Sequence, residues 1–301
     1  MNTHQFGGAW TESKLSSLRK YLSAYTTIFT ANPWARRYAT TYVDAFAGTG
    51  YRSETQGPQR GPSLLFFEDA PFYEEETLTF QQGSAPIALE TRPPFDNYLF
   101  IESNKAHADE LESLCEPYRS EGRRITVVPG DANVQLQRWC RETDWESNRA
   151  VVFLDPYGME VDWNTIEALA LTEGVDVMIL FPLGQAVNRL LTKQAIPEGA
   201  IAERLTRTFG TADWRKEFYR TVTQVSMFGE EEVTKKIATF DGISNFFLAR
   251  LDKVFAKVAS EPLYLYNSRN VPIYSLCFAA ANKQGAPTAV KIAQDIFSKQ
   301  R

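Results

Sequence analysis

The sequence predicts an α/β protein, a mostly parallel sheet covered by helices on both faces and closed by one antiparallel hairpin. Three observations lead there. Apolar strand patterns alternate with helical ones five times between residues 41 and 181. The early strands end on an acid or at a glycine turn. Two last strand patterns, Leu263 to Tyr266 and Ile273 to Ala280, face each other across a short polar turn. Alternation implies parallel strands joined by crossover helices, with ligands held at the carboxyl ends of the strands.

Taken in order, Trp10 to Thr30 reads as an amphipathic helix. Leu15, Leu18, Leu22, Tyr25 and Phe29 recur at spacings of three and four, with Lys14, Arg19 and Lys20 elsewhere on the wheel. Its expected role is to cover one end of the sheet by plain packing. Thr41 to Ala45 is the first strand, stopping at Gly48-Thr49-Gly50. The stretch from Tyr51 to Gln82 is irregular and rich in Gly-Pro pairs, as a functional lid or insertion is. A helix is expected from Ser84 as N-cap, with Gly61-Pro62-Ser63 as a competing start. Strands follow at Asn97 to Glu102, Ile125 to Val128, Ala150 to Leu154 and Val175 to Phe181. Helices separate them at Lys105 to Tyr118, Asn133 to Thr143 and Trp163 to Leu169. Residues 185–260 read as mostly helical, too long for one crossover, so 190–239 is taken as a helical insertion. The expected division is a helical extension over 1–40, a core over 41–189 and 240–301, and the insertion between. A final helix spans Pro287 to Phe297.

Composition narrows the chemistry. The 301 residues are 44% hydrophobic and 23% charged, values typical of soluble globular chains. No apolar run approaches the ~20 residues of a membrane span. Met1 to Trp10 lacks the pattern of an export signal, so a cytoplasmic setting is expected, with no membrane. Three scattered cysteines, Cys115, Cys140 and Cys277, and two histidines, His4 and His107, argue against a disulfide framework, a metal centre or a Ser-His-Asp triad. The net charge of −5 means that any polyanion must be met by local basic groups, such as Arg36-Arg37, Arg123-Arg124 or Arg138 with Arg141.

The candidate site gathers at strand ends. Glycines at 48 and 50 let backbone N–H groups approach a ligand with no Cβ in the way. Asp44 puts a carboxylate beside that turn, which suits a cationic or hydroxyl-rich ligand better than a pyrophosphate. Glu102 closes the second strand, where nucleotide-type folds hold ribose hydroxyls. Asp131, after the third strand, is placed to reach an adenine amino group. Asp155-Pro156-Tyr157-Gly158 closes the fourth. Acids at successive carboxyl ends of one rim form a constellation, where each alone would be an ordinary strand-to-turn junction.

Asp44-x-Phe46-Ala47-Gly48-x-Gly50 resembles the first motif of S-adenosylmethionine (SAM) methyltransferases, especially those acting on nucleic acid bases. Over most of its length the chain resembles the three-Cys-motif partner (TcmP) family of SAM-dependent methyltransferase-like proteins. That likeness runs through Trp10-Thr11-Glu12-Ser13-Lys14, Leu18 to Leu22, Val43 to Gly48 and Gly83-Ser84-Ala85-Pro86. It continues in Phe153 to Gly158, Phe181-Pro182 with Asn188-Arg189, and Phe209-Gly210 with Trp214. The resemblance implies a Rossmann-like SAM methyltransferase sheet, mostly parallel with a terminal antiparallel hairpin, plus an N-terminal helix and a helical insertion. It implies SAM as cofactor, with no metal, and a cofactor-binding set of Asp44, Phe46, Ala47, Gly48, Gly50, Glu102, Asp131 and Ala132. It also implies a genome-neighbour protein carrying the three-cysteine motif as a partner.

Asp155-Pro156-Tyr157-Gly158 is similar to the (Asp/Asn)-Pro-Pro-(Tyr/Phe) motif of amino-group methyltransferases, and closer to the Asp-Pro-Phe-Gly of a transfer RNA guanine N2 methyltransferase family. It implies Asp155, Pro156 and Tyr157 as the catalytic set, acting on an exocyclic amine of a nucleic acid base. Two other readings compete: a methyltransferase-like protein that binds nucleotide or partner without turnover, and a nicotinamide-dependent oxidoreductase. The second is weakened by Ser53, which stands where a dinucleotide motif has its third glycine.

Overall fold

A computed structural model describes residues 9–49, 83–193, 195–226 and 229–300. Gly50 and the stretch from Tyr51 to Gln82 lie outside the described residues. Among the described residues no helix is long and apolar enough to cross a membrane.

Five strands form the parallel part of the sheet: β1 (Ala39–Asp44), β2 (Asn97–Glu102), β3 (Arg124–Pro129), β4 (Asn148–Leu154) and β5 (Val175–Phe181). They lie in the order β3-β2-β1-β4-β5, every neighbour parallel. The chain order reverses between β1 and β4, so the crevice above their carboxyl ends is the topological switch point. The sheet is completed by β8 (Lys257–Val258), β9 (Leu263–Tyr266) and β10 (Pro272–Ala280). Strand β10 runs antiparallel to β5, and β8 and β9 pair along its other edge. This is the Rossmann-like sheet of methyltransferase folds, closed by its antiparallel hairpin as the sequence predicts.

Side chains alternate between two cores, as the two-residue strand period demands. In β4, Ala150, Val152 and Leu154 enter one core, while Val151 and Phe153 enter the other. The first core lies under α4 (Ala132–Glu142), α5 (Trp163–Leu171) and α9 (Phe240–Asp252). The second lies under α1 (Ala9–Ala31), α2 (Ser84–Glu90), α3 (Lys105–Ser120) and α10 (Ala286–Ser298). Residue β-branching and aromaticity make Thr40-Thr41-Tyr42-Val43 a strand. Its start is pinned where Asp96 accepts from Thr40 N at 2.7 Å and Thr40 Oγ1 at 2.9 Å.

Two expectations change. The first concerns 190–239. After a π-helical turn (Leu183–Val187) and the short α6 (Asn188–Leu190) come α7 (Gly199–Phe209) and α8 (Trp214–Phe218), which are helical as expected. Residues 219–226 and 229–236 are instead an antiparallel ribbon of β6 (Tyr219–Ser226) and β7 (Gly229–Lys236), paired from Tyr219↔Lys236 to Ser226↔Gly229. Thr and Val alternate with polar residues there, and neither face carries a continuous apolar row to betray the period. The second concerns α1. Lys14 is not on the solvent side of the wheel; its side chain is 1% exposed. The buried stripe runs Thr11, Lys14, Leu18, Tyr21, Leu22 and Tyr25, with a lysine where helical spacing asks for leucine.

Candidate active site

A cavity of about 480 Å³ opens above the carboxyl ends of β1 to β4, within the range of small-molecule sites. Ala45 and Phe46 come from the end of β1, Glu102 and Ser103 from β2, and Gly130, Asp131 and Ala132 from the β3–α4 turn. Met159, Glu160 and Asp162 come from the loop after β4, and Arg204 and Arg207 from α7. The sequence therefore brought Phe46, Glu102, Asp131 and Ala132 to one place, but missed the α7 rim and the loop after Gly158.

Glu102 organises the floor. Its Oε2 accepts the N–H of Gly48 at 2.8 Å and its Oε1 the N–H of Asn104 at 2.8 Å. One carboxylate thus ties the glycine turn of β1 to the start of α3. Gly48 has φ +59, a left-handed conformation that explains glycine there. Each carboxylate oxygen has a second lone pair, so both can still accept from a ligand hydroxyl. Asp131 is the N-cap of α4 and accepts the N–H of Val134 at 3.0 Å. Its capping role fixes its position on the rim.

The far wall is held by Asn133. Its amide donates to the Glu160 carbonyl at 2.8 Å and its Oδ1 accepts from Asp162 N at 2.9 Å and Thr165 Oγ1 at 2.8 Å. Burial pushes the Glu160 carboxyl above its ordinary range. Burial also raises Asp162, against the opposing pull of Arg207, whose Nε stands 2.8 Å from Asp162 Oδ1. Helix α7 stops at Gly210, with φ +65, where the chain passes directly over the Trp163 ring. Arg250 then lies 4.7 Å over that ring and donates to the Phe209 carbonyl at 2.9 Å, so the end of α7 is anchored on α5 and α9.

Asp44 and Asp155 are not part of this cavity's lining. They turn to the opposite face of the sheet, beneath α1 and α2. Asp44 is fully buried and accepts from Tyr42 Oη at 3.1 Å and Phe46 N at 3.3 Å. Burial raises its carboxyl to about 6; the Ser84 hydroxyl opposes the rise and the nearby Asp155 charge adds to it. Asp155 Oδ2 is held by Lys14 Nζ at 2.6 Å, with 19% of the aspartate side chain exposed. Pro156 lines a small apolar cleft with Gly158, Phe181 and Phe247. Ala47 is buried, and Tyr157 stands 83% exposed at the same rim. The proposed contact set is thus split: an open polar cavity on the α4 side, and an ionic cluster on the α1 side of the same strand ends, buried at Lys14 and Asp44 and partly open at Asp155.

The strand order, the closing hairpin and a cavity at the switch point define a Rossmann-like methyltransferase-type fold. No family model matches the chain, and no curated protein matches it. Among solved structures it is similar to protein LPL1258 of Legionella pneumophila, of family DUF519. That match has TM-score 0.50 and 13% identity over 99% of this chain and 94% of the other. A complex of Trm1 from Pyrococcus horikoshii with SAM matches at TM-score 0.38 and 10% identity, over 98% of this chain and 82% of that one. A SAM-dependent methyltransferase from Clostridium acetobutylicum matches at TM-score 0.36 and 11% identity, over 87% and 91%. The first likeness is one of fold.

Proposed function

We propose that the chain is a SAM-dependent methyltransferase acting on an exocyclic amino group of a nucleic acid base. The observation that carries the cofactor is Glu102, which closes β2 inside the cavity and touches the glycine turn. A carboxylate there suits a ribose diol, and Phe46, Met159 and Val134 beside it suit a purine face. The donor set therefore fits a nucleoside. Gly48 and Ala47 would pass along the amino-acid end, and Asp131 with Ala132 along the base. Bound SAM supplies an electrophilic methyl group.

The protein's own share is positioning. Asp155 accepts one amine hydrogen and the Pro156 carbonyl the other, turning the nitrogen lone pair to the methyl; holding reactants in line is where the barrier falls. Tyr157, with its ring in solvent, stacks on the base, an interaction of about 1–3 kcal/mol. The arginines at the α7 rim meet the phosphates that an acidic chain otherwise repels. The TcmP resemblance adds a genome-neighbour protein as the partner that delivers the substrate.

Calorimetry with SAM, followed by transfer of tritiated methyl to total RNA and sheared DNA with and without the neighbour protein, tests the reading. Binding followed by label on a base nitrogen is expected. Absence of SAM binding, or label on oxygen or carbon, overturns it.

A further inference from the structure

Lys14 is a lysine that the packing of α1 does not want. It occupies a core position, one turn before Leu18, on a stripe that otherwise buries leucine and tyrosine. A lysine is almost never so buried unless it is paired. Its partner is the first residue of the Asp-Pro-Tyr-Gly turn, 141 positions away, at 2.6 Å. The helix is already fixed by Leu18 and Leu22, both fully buried. It is also held by Tyr21, whose hydroxyl donates to Asp176 Oδ2 at 2.7 Å lower on the sheet. An apolar residue at 14 would pack as well, and buried ion pairs are weak sources of stability compared with apolar replacements.

We infer that Lys14 is a positioning residue of the active site, acting through Asp155. The inference rests on the methyltransferase reading above. With Oδ2 of Asp155 occupied by the ammonium, one carboxylate oxygen is committed to the protein and Oδ1 is left for the substrate amine. The ion pair also fixes the rotation of the carboxylate, which an unpaired aspartate on a half-open turn would not hold. Helix α1 is then part of the catalytic unit, although it lies outside the alternating strands and helices.

The test combines unfolding with turnover, using Lys14→Met, Asp155→Asn and the double variant. Methionine suits the apolar stripe and keeps the helix packed; Lys14→Arg serves as a second variant that retains charge. In urea unfolding, the double variant should have a midpoint no lower than the worse single variant, because both changes remove one interaction. In transfer of tritiated methyl from SAM to total RNA and DNA, Lys14→Met should lower kcat ten- to a hundredfold. Its affinity for SAM should stay within threefold, and Lys14→Arg should recover part of the rate. The double variant should be no slower than Asp155→Asn alone.

Additive unfolding effects would overturn the pairing itself. Coupled unfolding with unchanged kcat in Lys14→Met would overturn the positioning role and leave the methyltransferase reading standing. Slowing that multiplies across the double variant would likewise overturn it, showing that Lys14 does not act through Asp155. A wild-type protein that binds no SAM and transfers no methyl would overturn the functional reading and this proposal together, whatever the unfolding cycle shows.

Discussion

Asp44 makes a pH prediction whose sign and size follow from its surroundings. The side chain is fully buried, and its carboxyl is raised from 3.8 to about 6, chiefly by burial. A carboxyl with a raised folded-state value binds its proton more tightly when folded than when unfolded. Its contribution to stability is therefore complete below about pH 3.8 and is lost as pH rises through about 6. A shift of two pKa units corresponds to about 3 kcal/mol. Asp44→Asn keeps one of the two acceptor oxygens, Oδ1 for Phe46 N, gives up the Oδ2 that accepts from Tyr42 Oη, and cannot ionise. Other groups titrate in the same window, so the quantity to measure is the difference between the two proteins. Urea unfolding followed by circular dichroism from pH 4 to pH 8 provides it. The advantage of wild type over Asp44→Asn should shrink by about 2 kcal/mol between pH 4 and pH 7, part of the full span having been lost already at pH 4, and then level off. A difference curve that is flat, or that climbs with pH, would refute the assignment of a desolvated, proton-holding Asp44.

Other changes bear on the cavity and its supports. Glu102→Gln keeps one carbonyl acceptor but loses the charge that receives both Gly48 N and Asn104 N. It should cost about 1–3 kcal/mol in urea unfolding and weaken SAM more than tenfold by calorimetry; unaltered affinity would remove Glu102 from the ligand site. Gly210→Ala combines a left-handed backbone with a Cβ 2.0 Å from the Trp163 ring, so it should destabilise by about 2–5 kcal/mol, and a neutral result would contradict the close passage of α7 over α5. Asp155→Ala removes the carboxylate paired with the buried Lys14 ammonium, so it should lower stability by about 3 kcal/mol as well as abolish transfer, whereas Tyr157→Ala should leave the urea midpoint unchanged and impair nucleic acid before cofactor.

Much of the sheet was readable because its strands are apolar runs with hard stops. Asn97 to Glu102 ends on an acid and Val175 to Phe181 on a proline, and both have the bounds expected of them. The β6–β7 ribbon was unreadable for the converse reason. Glu230-Glu231-Glu232 and Lys235-Lys236 supply helix-forming residues and no apolar period. Lys14 was misplaced because a charge on a helical wheel is ordinarily solvated, although its spacing of four from Leu18 already put it on the buried stripe. The acids at the strand ends were legible as a set, but not which face each would choose. That depends on parity: Asp44 and Asp155 share the face of Tyr42 and Phe153, opposite to the face of Val43 and Leu154. Arg204 and Arg207 reach the cavity only through the tertiary anchor at Gly210, for which no local pattern exists.

The β6–β7 ribbon closes at its own base. Ile237 N donates to the Phe218 carbonyl at 2.9 Å, and Lys236 N to the Lys193 carbonyl at 3.1 Å. The Lys236 ammonium grips Asn188 Oδ1 at 2.6 Å and the Leu191 carbonyl at 3.2 Å. Among the described residues, none beyond that clasp lines the cavity. The arm can therefore be shortened by facing pairs, Thr221 with Thr234 and Val222 with Val233 among them, while the clasp keeps α7 and α8 where they are. It is a natural grafting point. A foreign epitope or reporter peptide spliced between Thr223 and Glu232 would replace only ribbon residues that lie outside the described cavity lining, giving a handle on the protein in a mixture of partners.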